Sequence, residues 1–292
     1  MNSLTFSPPA KINLYLRLTG KRKDGYNNIC TIFQKISLCD KLIITKAKKG
    51  CTIIVDGPIP CSQKKNLIYQ SYKLLKNKVN FKSGIHFYLK KNIPAGSGLG
   101  GASSDAAYTL YGINRLYKLG LKSNELLDLG RKLGADVPLF LYPYSTALGI
   151  ERGDLIVDLG RKPRYWLLLV IFDISLSTRD VYKSFKYPSR AGLNLTKLSH
   201  DVIMLSQFLA KRDILSLGGF LQNDLYHVAC LKEPNIRKVL HLLKKNNVPA
   251  CLMSGSGPTI FGLFNYKKDA QRAQDVLVSY KGIKTFICQT VN

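Results

Sequence analysis

Acidic side chains are scarce in this 292-residue chain. Eighteen Asp and Glu stand against 44 Lys and Arg, a formal net charge of +26 (44 − 18) at pH 7. That imbalance favours anionic partners: nucleotides, phosphorylated metabolites, nucleic acid or anionic lipid. The lysines are scattered, with only short clusters such as KAKK (46–49) and LKKNN (243–247). No arginine–aromatic stripe of the kind that stacks bases is present, so most of the charge reads as a solvated face and no nucleic-acid partner is expected. Long apolar runs are missing too. The longest, WLLLVIF (Trp166–Phe172), stops at Asp173, far short of the ~20 residues a membrane-spanning helix needs. It reads as a buried strand, and no membrane partner is expected. The opening MNSLTFSPPAK lacks the charged and apolar regions of a signal peptide, so a cytoplasmic location is expected. Cys-x-x-Cys does not occur. The seven cysteines (Cys30, Cys39, Cys51, Cys61, Cys230, Cys251, Cys288) are odd in number, and the four histidines have no metal spacing with them. A zinc ribbon and a disulfide framework are thereby excluded, a site built from protein ligands alone is not expected for any metal, and reduced thiols are expected. The absence of repeats and low-complexity stretches excludes solenoids and tails.

What remains is an ordinary globular composition, 46% apolar, with length for one large domain or two ordinary ones. Residues 4–18, 28–38, 41–47 and 51–57 read as strands, with a turn at GKRKDGY (20–26). Residues 65–79 read as a helix with Leu67, Ile68, Tyr72 and Leu75 on one face. A strand (84–89), a helix (102–117) and a second helix with Ser123 as its candidate cap follow, then a Gly-Ala-Asp-Val-Pro break. A composition shift near ERGDLIVDLGRKPR (151–164) suggests a boundary at about residue 155, giving domains 1–155 and 156–292. The remainder holds a strand (165–172), several helices, a glycine turn MSGSGPT (253–259), a strand, a helix and a final strand (284–291). This mixture is α+β, with helices on largely antiparallel sheets.

The strongest local signal is NIPAGSGLGGASSDAA (92–107), with Gly96, Gly98, Gly100 and Gly101 in six positions between a strand and a helix. Glycine lets backbone pass close to a ligand and take positive φ. A helix start supplies unpaired N–H groups and partial positive charge. Together they make a phosphate cradle; the alternative is a flexible surface turn. GSGLGG spells the dinucleotide fingerprint, but the acid required roughly 20 residues on would be Glu125, which lies in a helical pattern. A Walker loop fails because no Gly-Lys-Ser/Thr follows, and a protein-kinase loop because the chain has neither His-Arg-Asp nor Asp-Phe-Gly. Ser103 and Ser104 fall in the first helical turn, where they could cap it, reach a phosphate or its magnesium, or both.

Three other segments carry weaker signals. Lys11 sits in a strand pattern and, alone, reads as an outward-facing lysine. Gly255 and Gly257 bracket Ser256 in a tight turn. Asp136, in GADVP, reads as a turn residue. Order and combination change this. PAKINLYLRLTGKRKDGY, NLIYQSYKLL, IPAGSGLGGASSDAA, GADVPLFL, STRDVYKSF, NDL and MSGSGPTIFGLF run through nearly the whole chain. In that order they resemble the GHMP kinase superfamily.

The resemblance implies a two-domain fold, with an N-terminal domain like the second domain of a ribosomal protein and a C-terminal α/β-sandwich domain. It implies ATP-dependent phosphorylation of a small alcohol; the AKINL…DGY opening and GADVP point to a cytidine diphosphate sugar-alcohol of non-mevalonate isoprenoid synthesis. Asp136 looks like the catalytic base and Lys11 like its partner. Pro94, Ala95, Gly96, Ser97, Gly98, Leu99, Gly100, Gly101, Ala102, Ser103 and Ser104 resemble the ATP phosphate loop, with Asn66 and Leu67 near the adenine. Magnesium would accompany ATP. Asn13, Tyr26, Asn27, Thr178, Phe185, Ser254, Gly255, Ser256 and Gly257 would meet the other substrate, Tyr26 and Phe185 by stacking on the base. The chain departs from the family pattern at Asn27, where histidine is usual after Asp-Gly-Tyr, at Tyr226 in place of glutamate, and at Asp154, also for glutamate. Three rival readings stand beside this one: a superfamily kinase acting on another alcohol; a basic RNA-associated protein, which gives no reason for Lys11 with Asp136; and a degenerate kinase that only binds nucleotide, which the presence of both Lys11 and Asp136 disfavours.

Overall fold

The computed structural model describes residues 2–57, 62–79, 83–187 and 195–292; Cys61 lies outside them. In chain order the first half contains β1 (Ser3–Phe6), β2 (Pro9–Lys21), β3 (Asn27–Cys39), β4 (Lys41–Ala47), β5 (Cys51–Asp56), α1 (Leu67–Val79), β6 (Gly84–Lys90), α2 (Gly101–Tyr117), α3 (Ser123–Leu133), α4 (Val137–Leu141), β7 (Thr146–Ile150) and β8 (Leu155–Asp158). The second half contains β9 (Trp166–Phe172), α5 (Thr178–Ser184), α6 (Leu195–Lys211), α7 (Ile214–Phe220), β10 (Gln222–Asn223), α8 (Tyr226–Lys232), α9 (Asn235–Lys245), β11 (Cys251–Met253), β12 (Ile260–Phe264), α10 (Lys267–Asp275) and β13 (Ile283–Gln289).

These elements form two compact units, and the chain passes between them more than once. Unit 1 comprises residues 1–10, 38–95 and 100–143; unit 2 comprises 11–37, 96–99 and 144–292. A single cut at residue 155 therefore does not describe the division: Leu155 opens β8, which pairs antiparallel with β7. The composition shift noted there is the β7–β8 turn, where Glu151 and Gly153 take positive φ.

Unit 1 has a four-stranded sheet ordered β1-β4-β6-β5, antiparallel except for the parallel β5–β6 pair. Alternate residues of β4 and β6, Leu42, Ile44, Ile85, Phe87 and Leu89, face a core shared with Ile68, Tyr72 and Leu75 of α1 and Leu110, Ile113 and Leu116 of α2. Each such buried side chain contributes about 1.5–3 kcal/mol. Of the face expected for α1, Ile68, Tyr72 and Leu75 pack in this core, while Leu67 is half-buried at the helix start. Gly112 lets α2 approach the sheet, since a β-carbon there would stand 2.4 Å from Ile44 Cδ1 and 2.7 Å from Phe6 Cε2.

Unit 2 holds two sheets, β10-β2-β3-β7-β8 and β11-β12-β9-β13. The run WLLLVIF is β9, an interior strand with β12 and β13 antiparallel on either side and Leu167 to Val170 wholly buried. Its continuous apolar sequence follows from burial on both faces. Its core joins Leu168, Val170 and Phe172 to Val228 and Ala229 of α8, Val239 and Leu243 of α9 and Ala270 of α10. No helix among the described residues is long and apolar enough to cross a membrane.

Gly112→Ala is expected to destabilise the fold by about 1–3 kcal/mol through overpacking. Urea denaturation, followed by far-ultraviolet circular dichroism, checks it; an unchanged midpoint would mean that α2 does not need this approach.

Candidate functional site

In unit 2, three segments distant in sequence meet: β2, the glycine loop 96–99 and the turn 254–257. Lys11 is not outward-facing but 4% exposed. Its Nζ donates to Asn13 Oδ1 at 2.7 Å and lies 5.6 Å from the centre of the Phe33 ring. Its backbone N–H donates to the Leu99 carbonyl at 2.9 Å, tying β2 to the glycine loop. Asn13 is also buried; its Nδ2 donates to Thr31 Oγ1 at 2.8 Å, and Thr31 donates onward to the Tyr15 carbonyl at 2.6 Å. The Asn13 amide is thus oriented with its oxygen towards the ammonium. A buried ammonium interacts with nearby anions more strongly than one in water.

The turn is held just as closely. Ser254 Oγ accepts from Asn13 N–H at 3.2 Å and donates to the Gly98 carbonyl at 3.3 Å. A β-carbon on Gly255 would stand 3.2 Å from both Asn13 Oδ1 and the Gly98 carbonyl and 3.4 Å from Lys11 Nζ. One on Gly98, whose φ is +78°, would meet the Ser254 carbonyl at 2.6 Å. Thr178, the first residue of α5, shares a 2.9 Å hydrogen bond between its Oγ1 and Ser256 Oγ. Asn223 braces the turn from β10, its Nδ2 donating to the Met253 and Gly255 carbonyls, both at 2.8 Å. Next to it, Asp224 accepts from Leu18 N–H at 2.8 Å and pairs with Arg17 at 2.9 Å. Sequence reading assigned no role to Asn223 or Thr31. The quoted NDL motif was the available signal for the first; Thr31 carried none.

A second group in unit 2 surrounds Tyr26 and Asn27. Tyr26 is exposed, with the Arg152 guanidinium 5.1 Å from its ring centre. The buried Asp154 holds Arg152 in place with a 2.5 Å ion pair. Tyr187 donates its hydroxyl to Asn27 Oδ1 at 2.8 Å and meets Phe185 edge-on, ring centres 5.1 Å apart. Burial pushes the Tyr187 phenol upward, with the Asp224 carboxylate acting in the same direction.

Unit 1 carries the remaining residues. The loop enters α2 at Gly101, and Gly100, at φ +73°, is the cap. No side chain caps this helix, which corrects the capping role for Ser103 and Ser104; they lie further into the first turn, where Ser104 Oγ is buried without a partner. With Gly96 and Gly98, Gly100 completes an alternation of left-handed glycines, the backbone pattern that turns successive N–H groups to one side. Asn66 caps α1, its Oδ1 accepting from Ile68 N–H at 2.9 Å, and Leu67 opens that helix. Asp136 immediately precedes α4, so the break expected there starts a short helix; Ser123 is the first residue of α3 and Lys122 its cap. Asp40, Lys91 and Asp105 form a buried charge cluster beside the start of α2. Burial, reinforced by Asp40, pushes the Asp105 carboxyl up to about 7 against the pull of Lys91. Among the described residues, no group of three His, Cys, Asp or Glu side chains is arranged to hold a metal.

The model of the GHMP kinases N terminal domain matches residues 66–143, and that of the GHMP kinases C terminal domain matches 205–284. A 4-diphosphocytidyl-2-C-methyl-D-erythritol kinase of Thermodesulfovibrio yellowstonii is 37% identical over 278 residues, 95% of each chain. That of Shouchella clausii is 36% identical over 280 residues, 95% of this chain and 89% of its own. The chain belongs to the 4-diphosphocytidyl-2-C-methyl-D-erythritol kinase family. A crystal structure of 4-(cytidine 5'-diphospho)-2C-methyl-D-erythritol kinase superposes with a TM-score of 0.79 at 27% identity, covering 99% of this chain and all of the other. Homoserine kinase from Cytophaga hutchinsonii, at 20% identity and a TM-score of 0.76 over all of this chain and 95% of its own, shares the fold. Membership in this kinase family agrees with the expected GHMP fold and with a buried lysine beside a glycine loop.

Gly98→Ala tests the close approach of loop and turn. The added carbon is expected to force the Ser254 carbonyl away and to lower turnover by about tenfold or more, as sub-ångström displacements in reacting sites do. Steady-state kinetics checks it; a variant with unchanged kcat and KM would show the contact to be dispensable.

Proposed function

We infer that the protein transfers the terminal phosphoryl group of ATP to the 2-hydroxyl of 4-diphosphocytidyl-2-C-methyl-D-erythritol, giving ADP and the 2-phosphate, within non-mevalonate isoprenoid synthesis in the cytoplasm. The observation that carries this reading is near-full-length similarity to kinases of that name. The buried Lys11 bonded to the glycine loop supplies the physical support.

Phosphoryl transfer asks chiefly for positioning and for stabilisation of charge on the moving group. We assign Asp136 as the base that takes the hydroxyl proton and Lys11 as its partner. A cation near a carboxylate keeps it ionised, and the same ammonium can stabilise the transferring phosphoryl group. Residues 94–104 cradle the phosphates, and Asn66 and Leu67 border the adenine. ATP binding falls to Asn66, Leu67 and residues 94–104, and recognition of the alcohol to Thr178, Phe185 and the turn 254–257 together with Asn13, Tyr26 and Asn27. Magnesium arrives with the nucleotide and neutralises phosphate charge. The hydroxyls of Ser103 and Ser104 suit such a hard cation, and the buried Ser104 Oγ has no other partner.

For the cytidine end, we assign Tyr26 as a stacking platform with Arg152 behind it, and Phe185 as its counterpart. Asn27 stands where the family usually has histidine. With its oxygen taken by the Tyr187 hydroxyl, its amide presents N–H donors, which match the O2 and N3 acceptors of cytosine. Thr178 and the turn 254–257 complete the alcohol's surroundings.

ADP release from magnesium-ATP, with and without the cytidine substrate, tests the reaction. Substrate-dependent turnover is expected, falling by about 100- to 10,000-fold in Asp136→Asn, the usual contribution of a general base. ATP binding without turnover would move the acceptor to another alcohol. Tyr187→Phe frees the Asn27 amide to rotate. Discrimination between the cytidine substrate and its uridine counterpart is expected to fall about tenfold, the worth of one hydrogen bond; equal kcat/KM ratios in both enzymes would remove Asn27 from base recognition.

A further inference from the structure

Both ends of the glycine loop are tied to one buried ion cluster in unit 1. At the leading end, Asp40 Oδ1 accepts from the backbone N–H groups of Asn92 at 2.6 Å and Ile93 at 2.8 Å. Its other oxygen pairs with Lys91 Nζ. Lys91 also donates to Asp105 Oδ2 at 3.0 Å, and Asp105 lies in the first turns of α2, beyond the loop. Lys91 lies against the helix start as well: a β-carbon on Gly101 would stand 3.3 Å from its Nζ and 2.9 Å from Ile93 Cγ2. The arrangement is more costly than a core requires. Two carboxylates share one ammonium, all three groups are buried or nearly so, and Asp105 Oδ1 is buried without a partner. Apolar side chains of similar volume would commonly hold two elements together equally well or better.

We propose that Lys91, bridging Asp40 and Asp105, is a positioning residue that fixes the two ends of the glycine loop and so presets it for the phosphates of ATP. The nucleotide part of this inference rests on the reading of residues 94–104 as the ATP loop. A loop pinned at both ends loses fewer conformations when it closes on a ligand, which improves affinity without any new contact. Residues 91–93 lead into the loop, and Asp105 follows it by four residues from Gly101; the cluster therefore spans its whole base. The mark of this role is selectivity: the tether should govern ATP and leave the alcohol alone.

Lys91→Met alone leaves two carboxylates uncompensated and can unfold the protein for that reason. Lys91→Met/Asp105→Asn removes one charge of each sign, and the remaining Asp40 keeps both backbone N–H donors. In this double variant the fall in melting temperature is expected to be smaller than in Lys91→Met alone, KM for ATP to rise about tenfold or more, and KM for the alcohol to hold within about twofold. Lys91→Arg, which retains a cation with two-sided hydrogen bonding, should restore much of the ATP affinity. Hydrogen exchange of the loop amides, measured without nucleotide, is expected to quicken in the double variant. A folded double variant with parental ATP KM and parental loop exchange would overturn the proposal, as would equal rises in both KM values. Quickened exchange in a protein whose parent binds no ATP would support the tether and reject the nucleotide reading of the loop instead.

Discussion

Two stretches of backbone meet in unit 2 so closely that a β-carbon on Gly98 would clash and one on Gly255 would be tight. Gly98 lies under the Ser254 carbonyl, and Gly255 lies within reach of the Gly98 carbonyl, Asn13 and Lys11. Everything else in this part of the molecule depends on that approach. It brings Ser254 Oγ to where one hydroxyl serves both Asn13 N–H and the Gly98 carbonyl. It also brings Gly255 close to the ammonium of Lys11, 3.4 Å from where a β-carbon on it would stand. A larger residue at Gly98 would push the loop away from the turn.

The strand β2 supplies the other half of this arrangement by dividing its faces. Ile12, Leu14, Leu16 and Leu18 are buried apolar residues, whereas Lys11, Asn13, Tyr15 and Arg17 occupy the alternate positions. A strand buried on its polar side must find a partner for each group there. Lys11 meets Asn13, Asn13 meets Thr31, the Tyr15 hydroxyl donates to Asp201, and Arg17 meets Asp224 and Gln222. Burial and the Asp201 carboxylate together push the Tyr15 phenol well above its usual range. A shift of one residue in register would exchange the two faces and orphan all four groups. The hydrogen-bond ladder therefore defines where Lys11 stands as firmly as the core does.

Much of this was legible in the sequence, and the exceptions have physical reasons. Periodicity identified α1 and most of its packing face, and the glycine spacing identified the loop between β6 and α2. The apolar run at 166–172 is the interior strand it resembled. Lys11 was misread by strand logic alone because alternation does not say whether a polar face is covered; only Asn13, Thr31 and the turn reveal that. Asn223, Thr31 and Tyr187 act through partners more than a dozen residues away, which no local pattern encodes. The boundary near 155 failed for a related reason: composition varies along the chain, while the units are defined by strands that leave one and enter the other.

That interleaving bears on how the chain is made. β2 leaves a ribosome about two hundred residues before β10, with which it pairs in parallel. The β9 sheet and the helices around it also lie in the second half of the chain. Unit 1 needs nothing beyond residue 143 and can close first. Unit 2 must wait until β10 and the β9 sheet have been synthesised. Long-range pairings of this kind fold slowly and leave sticky intermediates. The same topology that fixes Lys11 by contacts from segments far apart in sequence makes its completion wait for those later segments to be made.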